Sequence, residues 1–184
     1  MDGSVIRQFC PALVDLTERI GEVVRNTTGL ELVPMNNGTA NLNVNITPPS
    51  GEYRWHYDRN TVTAILYLNS VAGGETEIYP NYRVHLGRWS ATRLQRTLDG
   101  FLRLSAMRQA FGKGEIIAPR AGLLVIMLGS RSLHSVRRVE GSEDRISVVM
   151  SFDDPRMCSA QLTDLDEYLY SREPVRSSDP NYRK

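Results

Sequence analysis

The chain has 184 residues, 41% hydrophobic and 23% charged, which suits one globular domain with a core of useful size. Twenty-two basic residues against 21 acidic ones leave a formal charge of +1, so the overall field to attract a nucleic acid or an anionic membrane is lacking. Cys10 and Cys158 match no zinc or redox spacing, the N-terminus lacks the basic start and apolar run of a signal peptide, and the longest apolar run, Gly122 to Gly129, is too short to span a bilayer; a cytoplasmic protein with reduced thiols is the expectation.

A single domain over residues 1–184 is expected, opening with an amphipathic helix at about 4–27. There Leu13, Leu16, Ile20 and Val23 or Val24 recur at helical spacing, and Gly29 can stop the helix. Asn41 to Thr47 alternates polar and apolar residues with period two, as a half-buried strand does. Pro48, Pro49, Ser50 and Gly51 mark a turn, and Glu52 to Tyr57 resumes an extended pattern. Thr61 to Leu68 is rich in β-branched and aromatic residues and reads as a buried strand. Gly73, Gly74 and Glu75 are expected to turn near the mouth of a barrel, leading into a strand that ends at Tyr79.

A helical insertion is predicted at about 82–111, where Trp89, Leu94, Leu98, Phe101, Leu102 and Leu104 are interleaved with Arg88, Arg93, Arg96, Arg103 and Arg108. Four short strands are predicted next: Gly114 to Ala118, Gly122 to Leu128, Ser132 to Val139 and Arg145 to Phe152. A last helix is expected at Leu162 to Leu169, followed by a polar, frayed tail at about 172–184. Many short strands behind one helix predict a mostly β protein with flanking helices, an antiparallel double-sheet barrel of the jelly-roll, cupin-like kind.

Three histidines are present, and His56 and Asp58 stand as H-x-D. On a strand, residues i and i+2 share a face, so an imidazole and a carboxylate can sit side by side. Two histidines and one carboxylate, with open positions opposite, make the ligand set of oxygen-activating Fe(II) sites. His134 lies between two strand-like runs, whereas His85 sits at the edge of the insertion, so His134 is the better third ligand.

The order WHYD, TAILYLN, GGET, APRAGLLVIML, LHSV, RISVVMSF, over about Asn41 to Phe152, resembles the Fe(II)/2-oxoglutarate-dependent dioxygenases. The resemblance implies a double-stranded β-helix, Fe(II) held by His56, Asp58 and His134, 2-oxoglutarate as cosubstrate, and O2. It implies that Arg145 and Ser147, in the family's R-x-S pattern, bind the far carboxylate of 2-oxoglutarate. Tyr67 and Asn45 match positions that contact the cosubstrate in some members; Thr47 departs from the tyrosine often found there. Independently, Arg145 stands in an otherwise buried run, and a buried guanidinium needs an anionic partner. Halogenating members replace the carboxylate ligand with Gly or Ala, so Asp58 favours hydroxylation.

The substrate leaves fainter traces. Trp55, Arg59, Tyr79, Arg88, Trp89 and Arg131 are the candidate contacts, although Trp55 alternates with His56 and would point away from the metal. An arginine there would suit a carboxylate-bearing small molecule, such as a free amino acid or a natural-product intermediate. The competing readings are a prolyl-type protein hydroxylase, which shares TAILYLN and GGET, and a non-catalytic binding module on the same barrel.

Overall fold

The computed structural model describes residues 3–35, 41–87, 93–156 and 182–183. Two helices lead the chain, α1 (Gly3–Phe9) and α2 (Pro11–Thr28). The sequence predicts one helix here, but Pro11 divides it: proline disfavours helical φ/ψ at the residue before it, and Cys10 accordingly sits at φ −140°, ψ 68°. Gly29 ends α2 in the left-handed conformation at φ 67°, its N–H donating to the Arg25 carbonyl.

The strands are β1 (Val33–Pro34), β2 (Leu42–Thr47), β3 (Glu52–His56), β4 (Val62–Tyr67), β5 (Thr76–Tyr79), β6 (Glu115–Ile117), β7 (Leu124–Met127), β8 (Leu133–Val136), β9 (Arg145–Asp153) and β10 (Tyr182–Arg183). Between β5 and β6 lie two helices, α3 (Arg93–Leu102) and α4 (Ser105–Phe111). Residues 82–87 of the expected insertion are irregular, and Arg88 and Trp89 lie outside the described residues, as do the predicted helix at 162–169, Cys158 and most of the tail. Tyr182 and Arg183, expected to fray, instead pair with Tyr53 and Glu52 at the edge of β3, because a ladder bonds the main chain whatever its side chains.

Among the described residues two antiparallel five-stranded sheets form. In the first, β9 has β4 on one side and β1 and β2 on the other, and β7 extends it beyond β4. The second runs β10-β3-β8-β5-β6. The fold is thus the double-stranded β-helix, a jelly roll.

Period-two alternation explains why the first sheet is buried on both faces. Leu42, Val62, Ala64, Val148, Met150 and Phe152 pack against Ile6, Ile20 and Val24 of the two leading helices. The intervening residues face the barrel interior and are largely polar: Asn43, Asn45 and Thr47 on β2, Thr63 on β4, and Arg145, Ser147 and Ser151 on β9. Interior polar residues lining a barrel need partners, and this row is where the chemistry collects.

Candidate metal centre and anion pocket

His56 ends β3, and His134 lies opposite it on β8 in the antiparallel register. Asp58 is past the end of β3, so strand alternation alone does not bring it beside His56. A loop does: the Asp58 N–H donates to the Gly129 carbonyl (3.1 Å). The ligand-capable atoms of the three residues lie within 4.8 Å of one another.

The hydrogen-bond pattern defines what this cluster can hold. His56 Nδ1 lies 2.7 Å from the Arg54 carbonyl and His134 Nδ1 3.0 Å from the Ser132 carbonyl. A carbonyl only accepts, so each Nδ1 carries the hydrogen and each neutral ring presents its Nε2 lone pair to the cluster. Both Nε2 atoms face Asp58 Oδ1, at 3.5 and 3.3 Å. Three electron-rich atoms turned on one another require a proton or a metal cation between them. Backbone carbonyls that fix the outer nitrogens of histidine ligands are the usual support of such centres. The donor set therefore fits a divalent ion such as Fe(II).

The same electrostatics govern the protons. Burial opposes the charged form of Asp58, but the charge and hydrogen bonds of His134 and His56 outweigh it, and the carboxyl is held well below its usual range. Burial likewise disfavours the His134 cation, yet Asp58 beside it raises the imidazole above its ordinary value.

Two residues that the sequence patterns left unremarked complete the Asp58 setting. Thr63 Oγ1 donates to Asp58 Oδ2 (2.5 Å). Gly129 packs so closely that a Cβ there would lie 2.5 Å from Thr63 Oγ1 and 2.7 Å from Asp58 Oδ2.

Further along the interior, Arg145 is 2% exposed. Its Nε donates to the Gly74 carbonyl (3.0 Å), Nη1 to Ser147 Oγ (3.2 Å) and Nη2 to Thr76 Oγ1 (3.4 Å). The guanidinium lies 4.9 Å from the centroid of the fully buried Tyr67 ring, whose hydroxyl pairs with Thr76 Oγ1 (2.6 Å). Among the described residues Arg145 makes no ion pair, so the structural Asp or Glu partner that could explain a buried arginine is missing there. Asn45 and Thr47 lie opposite Ser147 and Arg145 on β2, and Asn45 Nδ2 donates to the Tyr53 hydroxyl (2.9 Å). The expected glycine turn sits against Arg145. Gly74, at φ 64°, could not carry a side chain without meeting Arg145 Cδ at 2.9 Å.

The substrate candidates divide. Trp55 and Tyr79 pack at a tilt, ring centroids 5.4 Å apart and planes inclined by 59°, and Arg108 of α4 lies 4.1 Å from the Trp55 centroid. Trp55 alternates with His56, so this cluster occupies the outer face of the second sheet, where α4 covers it. Arg59, next to Asp58, and Arg131, two residues beyond Gly129, are exposed. His85 is exposed too, and burial together with Arg83 and Arg131 lowers its pKa.

A double-stranded β-helix whose interior joins a two-histidine, one-carboxylate cluster to a buried arginine defines a class of oxygenase-like barrels. The model of the 2OG-Fe(II) oxygenase superfamily matches residues 42–152, and the chain belongs to that family. The family's cofactor set is Fe(II), 2-oxoglutarate and O2. Among solved structures, the non-heme alpha ketoglutarate dependent epimerase SnoN from nogalamycin biosynthesis is similar at a TM-score of 0.58 and 16% identity, over 84% of this chain and 60% of that one. A prolyl hydroxylase from Trichoplax adhaerens, in complex with a hypoxia inducible factor peptide fragment, gives 0.54 and 19%, over 83% and 61%. Prolyl 4-hydroxylases from Phytophthora capsici give 0.53 and 16%, over 89% and 52%. The chain thus spans between half and two thirds of these proteins, and at such identities the likeness speaks to the fold. No curated protein matches the chain significantly in sequence.

Proposed function

We propose that this chain is an Fe(II)- and 2-oxoglutarate-dependent hydroxylase of a small molecule, a free amino acid or a natural-product intermediate, with His56, Asp58 and His134 as the iron ligands. The observation that carries the reading is Arg145: a buried guanidinium with no carboxylate of its own, in the same interior as the three-ligand cluster. A dicarboxylate supplies the missing charge, and the planar fork of arginine suits a bidentate grip.

The spacing agrees. Thr76, which Arg145 touches, is two residues along β5 from Ile78, the register partner of His134. At strand rise that is roughly 7 Å, on the scale of a five-carbon diacid reaching from metal to anchor. Ser147 and Thr76 hydroxyls flank the guanidinium and can orient one carboxylate oxygen each, with Tyr67 closing the floor.

Bound iron would supply oxidation of a C–H bond coupled to conversion of 2-oxoglutarate and O2 into succinate and CO2. The protein's part is positional. His56 and His134 offer lone pairs fixed by Arg54 and Ser132 carbonyls, Thr63 steadies the carboxylate ligand, and Arg145 orients the cosubstrate. Arg59 and Arg131, exposed beside the Asp58 loop, supply charge for a substrate carboxylate.

A second reading, a protein hydroxylase, draws on the helical arm, which exposes Leu94, Phe101, Leu104 and Phe111. Anaerobic titration with Fe(II) and 2-oxoglutarate should develop a weak visible charge-transfer band. Succinate release should then be stimulated by amino acids or metabolites and not competed by proline-containing peptides. Failure to bind either cofactor would leave a non-catalytic barrel.

A further inference from the structure

Arg83, in the arm between β5 and β6, reaches the loops beside the metal cluster. Asp99 and Gln95, one turn apart on α3, are both buried. Gln95 donates to the Val84 carbonyl (2.9 Å) and to Asp99 Oδ1 (2.8 Å), and accepts from the Leu86 N–H (3.0 Å). Asp99 receives Arg83 bidentately, Nε on Oδ1 at 3.0 Å and Nη2 on Oδ2 at 2.5 Å. The remaining nitrogen, Nη1, donates to the Ser130 carbonyl (3.2 Å), and the Arg83 main-chain N–H donates to the Arg131 carbonyl (2.9 Å). The same guanidinium covers the Tyr57 ring at 4.9 Å.

Those contacts fall on both walls of Asp58. Tyr57 is the residue between His56 and Asp58. Ser130 follows Gly129, whose carbonyl holds the Asp58 N–H and whose Cα leaves no room beside the carboxylate. We propose that Arg83, held by Asp99, is a positioning residue for the carboxylate ligand: it fixes the Gly129–Arg131 loop and Tyr57 on either side of Asp58 and so sets metal affinity from the helical arm. A largely buried ion pair is not in itself a strong source of stability. The guanidinium's three hydrogen bonds, two to the acid and one to a carbonyl, together with its face on Tyr57, make it a geometric device.

The inference rests on the three-residue metal reading, and the test separates the two. The readout is Co2+ binding to the apoprotein, followed by its visible absorption, with folding checked by far-UV circular dichroism. Outer partners of metal ligands typically govern affinity by about 10–100-fold, and Arg83→Gln and Asp99→Asn should each weaken Co2+ by that order. The double variant should be little worse than either, because the two act as one unit. Arg83→Lys keeps the charge near Asp99 but cannot also span to Ser130 and Tyr57; it should lose several-fold and serves if Arg83→Gln does not fold. Val24→Ala, on the core-facing side of α2, should lose stability and keep the parent Co2+ affinity. Parent-like affinity in folded Arg83 and Asp99 variants, multiplicative losses in the double variant, or an equal loss in Val24→Ala would each overturn the inference while the metal reading stands. A parent protein that takes up no Co2+ would bring down both.

Discussion

Thr63 fixes Asp58 by one oxygen and leaves the other to the histidines. Its hydroxyl donates to Oδ2 at 2.5 Å, while Oδ1 faces both Nε2 atoms. Asn60 Nδ2 in turn donates to Thr63 Oγ1 (2.8 Å), so the hydroxyl hydrogen is committed to the carboxylate. Thr63→Val keeps the β-branched shape that β4 requires and removes the donor. Divalent-metal affinity should fall by about 10-fold or more, and Thr63→Ser should retain most of it. Co2+ titration of the three proteins checks this; equal affinities would remove Thr63 from the site.

Gly129→Ala tests steric exclusion in place of bonding. The new methyl would meet Thr63 Oγ1 at 2.5 Å, Asp58 Oδ2 at 2.7 Å and Asp58 Cβ at 2.9 Å, and cannot fit without moving the ligand. Gly129 has no positive φ, so backbone strain does not enter. The variant should fold, keep its far-UV spectrum and lose most metal binding and turnover. A fully active Gly129→Ala would show that the Asp58 loop yields cheaply.

Much of this was legible in the sequence, for reasons that can be named. RISVVMSF announces β9 as a buried strand, a guanidinium in such a run singles out Arg145, and the resemblance to the family's R-x-S pattern adds Ser147. H-x-D pointed to His56 and Asp58, although a loop bond to Gly129, not strand pleating, brings the carboxylate round. Pro11 divides the leading helix, which the hydrophobic period alone does not reveal. Gly129, Arg83 and Asp99 were not legible, because each acts through a partner distant in sequence, and Thr63 reaches Asp58 only because the chain turns between them: Arg83 and Asp99 alone look like a solvated arginine and a helix-surface acid. Trp55 and Tyr79, candidate substrate contacts, lie together, and alternation with His56 already turned Trp55 away from the metal.

Arg145→Met separates binding from stability. The substitution removes three hydrogen bonds but also a desolvated cation without a counter-charge, and exchanging buried ionic groups for apolar ones of similar size is often neutral. The apoprotein should melt within a few degrees of the parent. Affinity for 2-oxoglutarate should drop by about 2–5 kcal/mol, at least roughly 30-fold, since the cosubstrate carboxylate loses its charged partner. Calorimetric melting and anaerobic 2-oxoglutarate titration give the two numbers; a large loss of stability with unchanged affinity would make Arg145 structural.

Proton and metal compete for the same lone pairs, which fixes the sign of the pH dependence. In the apoprotein, burial works against both charges, but Asp58 holds His134 above its ordinary 6.5 and His134 holds Asp58 well below the ordinary 3.8. The histidine contributes stability that is complete below its unfolded pKa and is lost as pH rises through its raised folded value. The aspartate contributes stability that is present above 3.8 and is lost only as pH falls through its depressed folded value. The pair therefore stabilises the empty protein most between those limits, in mildly acidic solution. Metal requires neutral imidazole, so binding must expel the His134 proton. Co2+ affinity should rise by about tenfold per pH unit below the raised His134 pKa and level off above it, with release of about one proton in weakly buffered titrations on the acid side. A flat affinity profile from pH 5.5 to 8, with no proton release, would mean that His134 does not bind the metal.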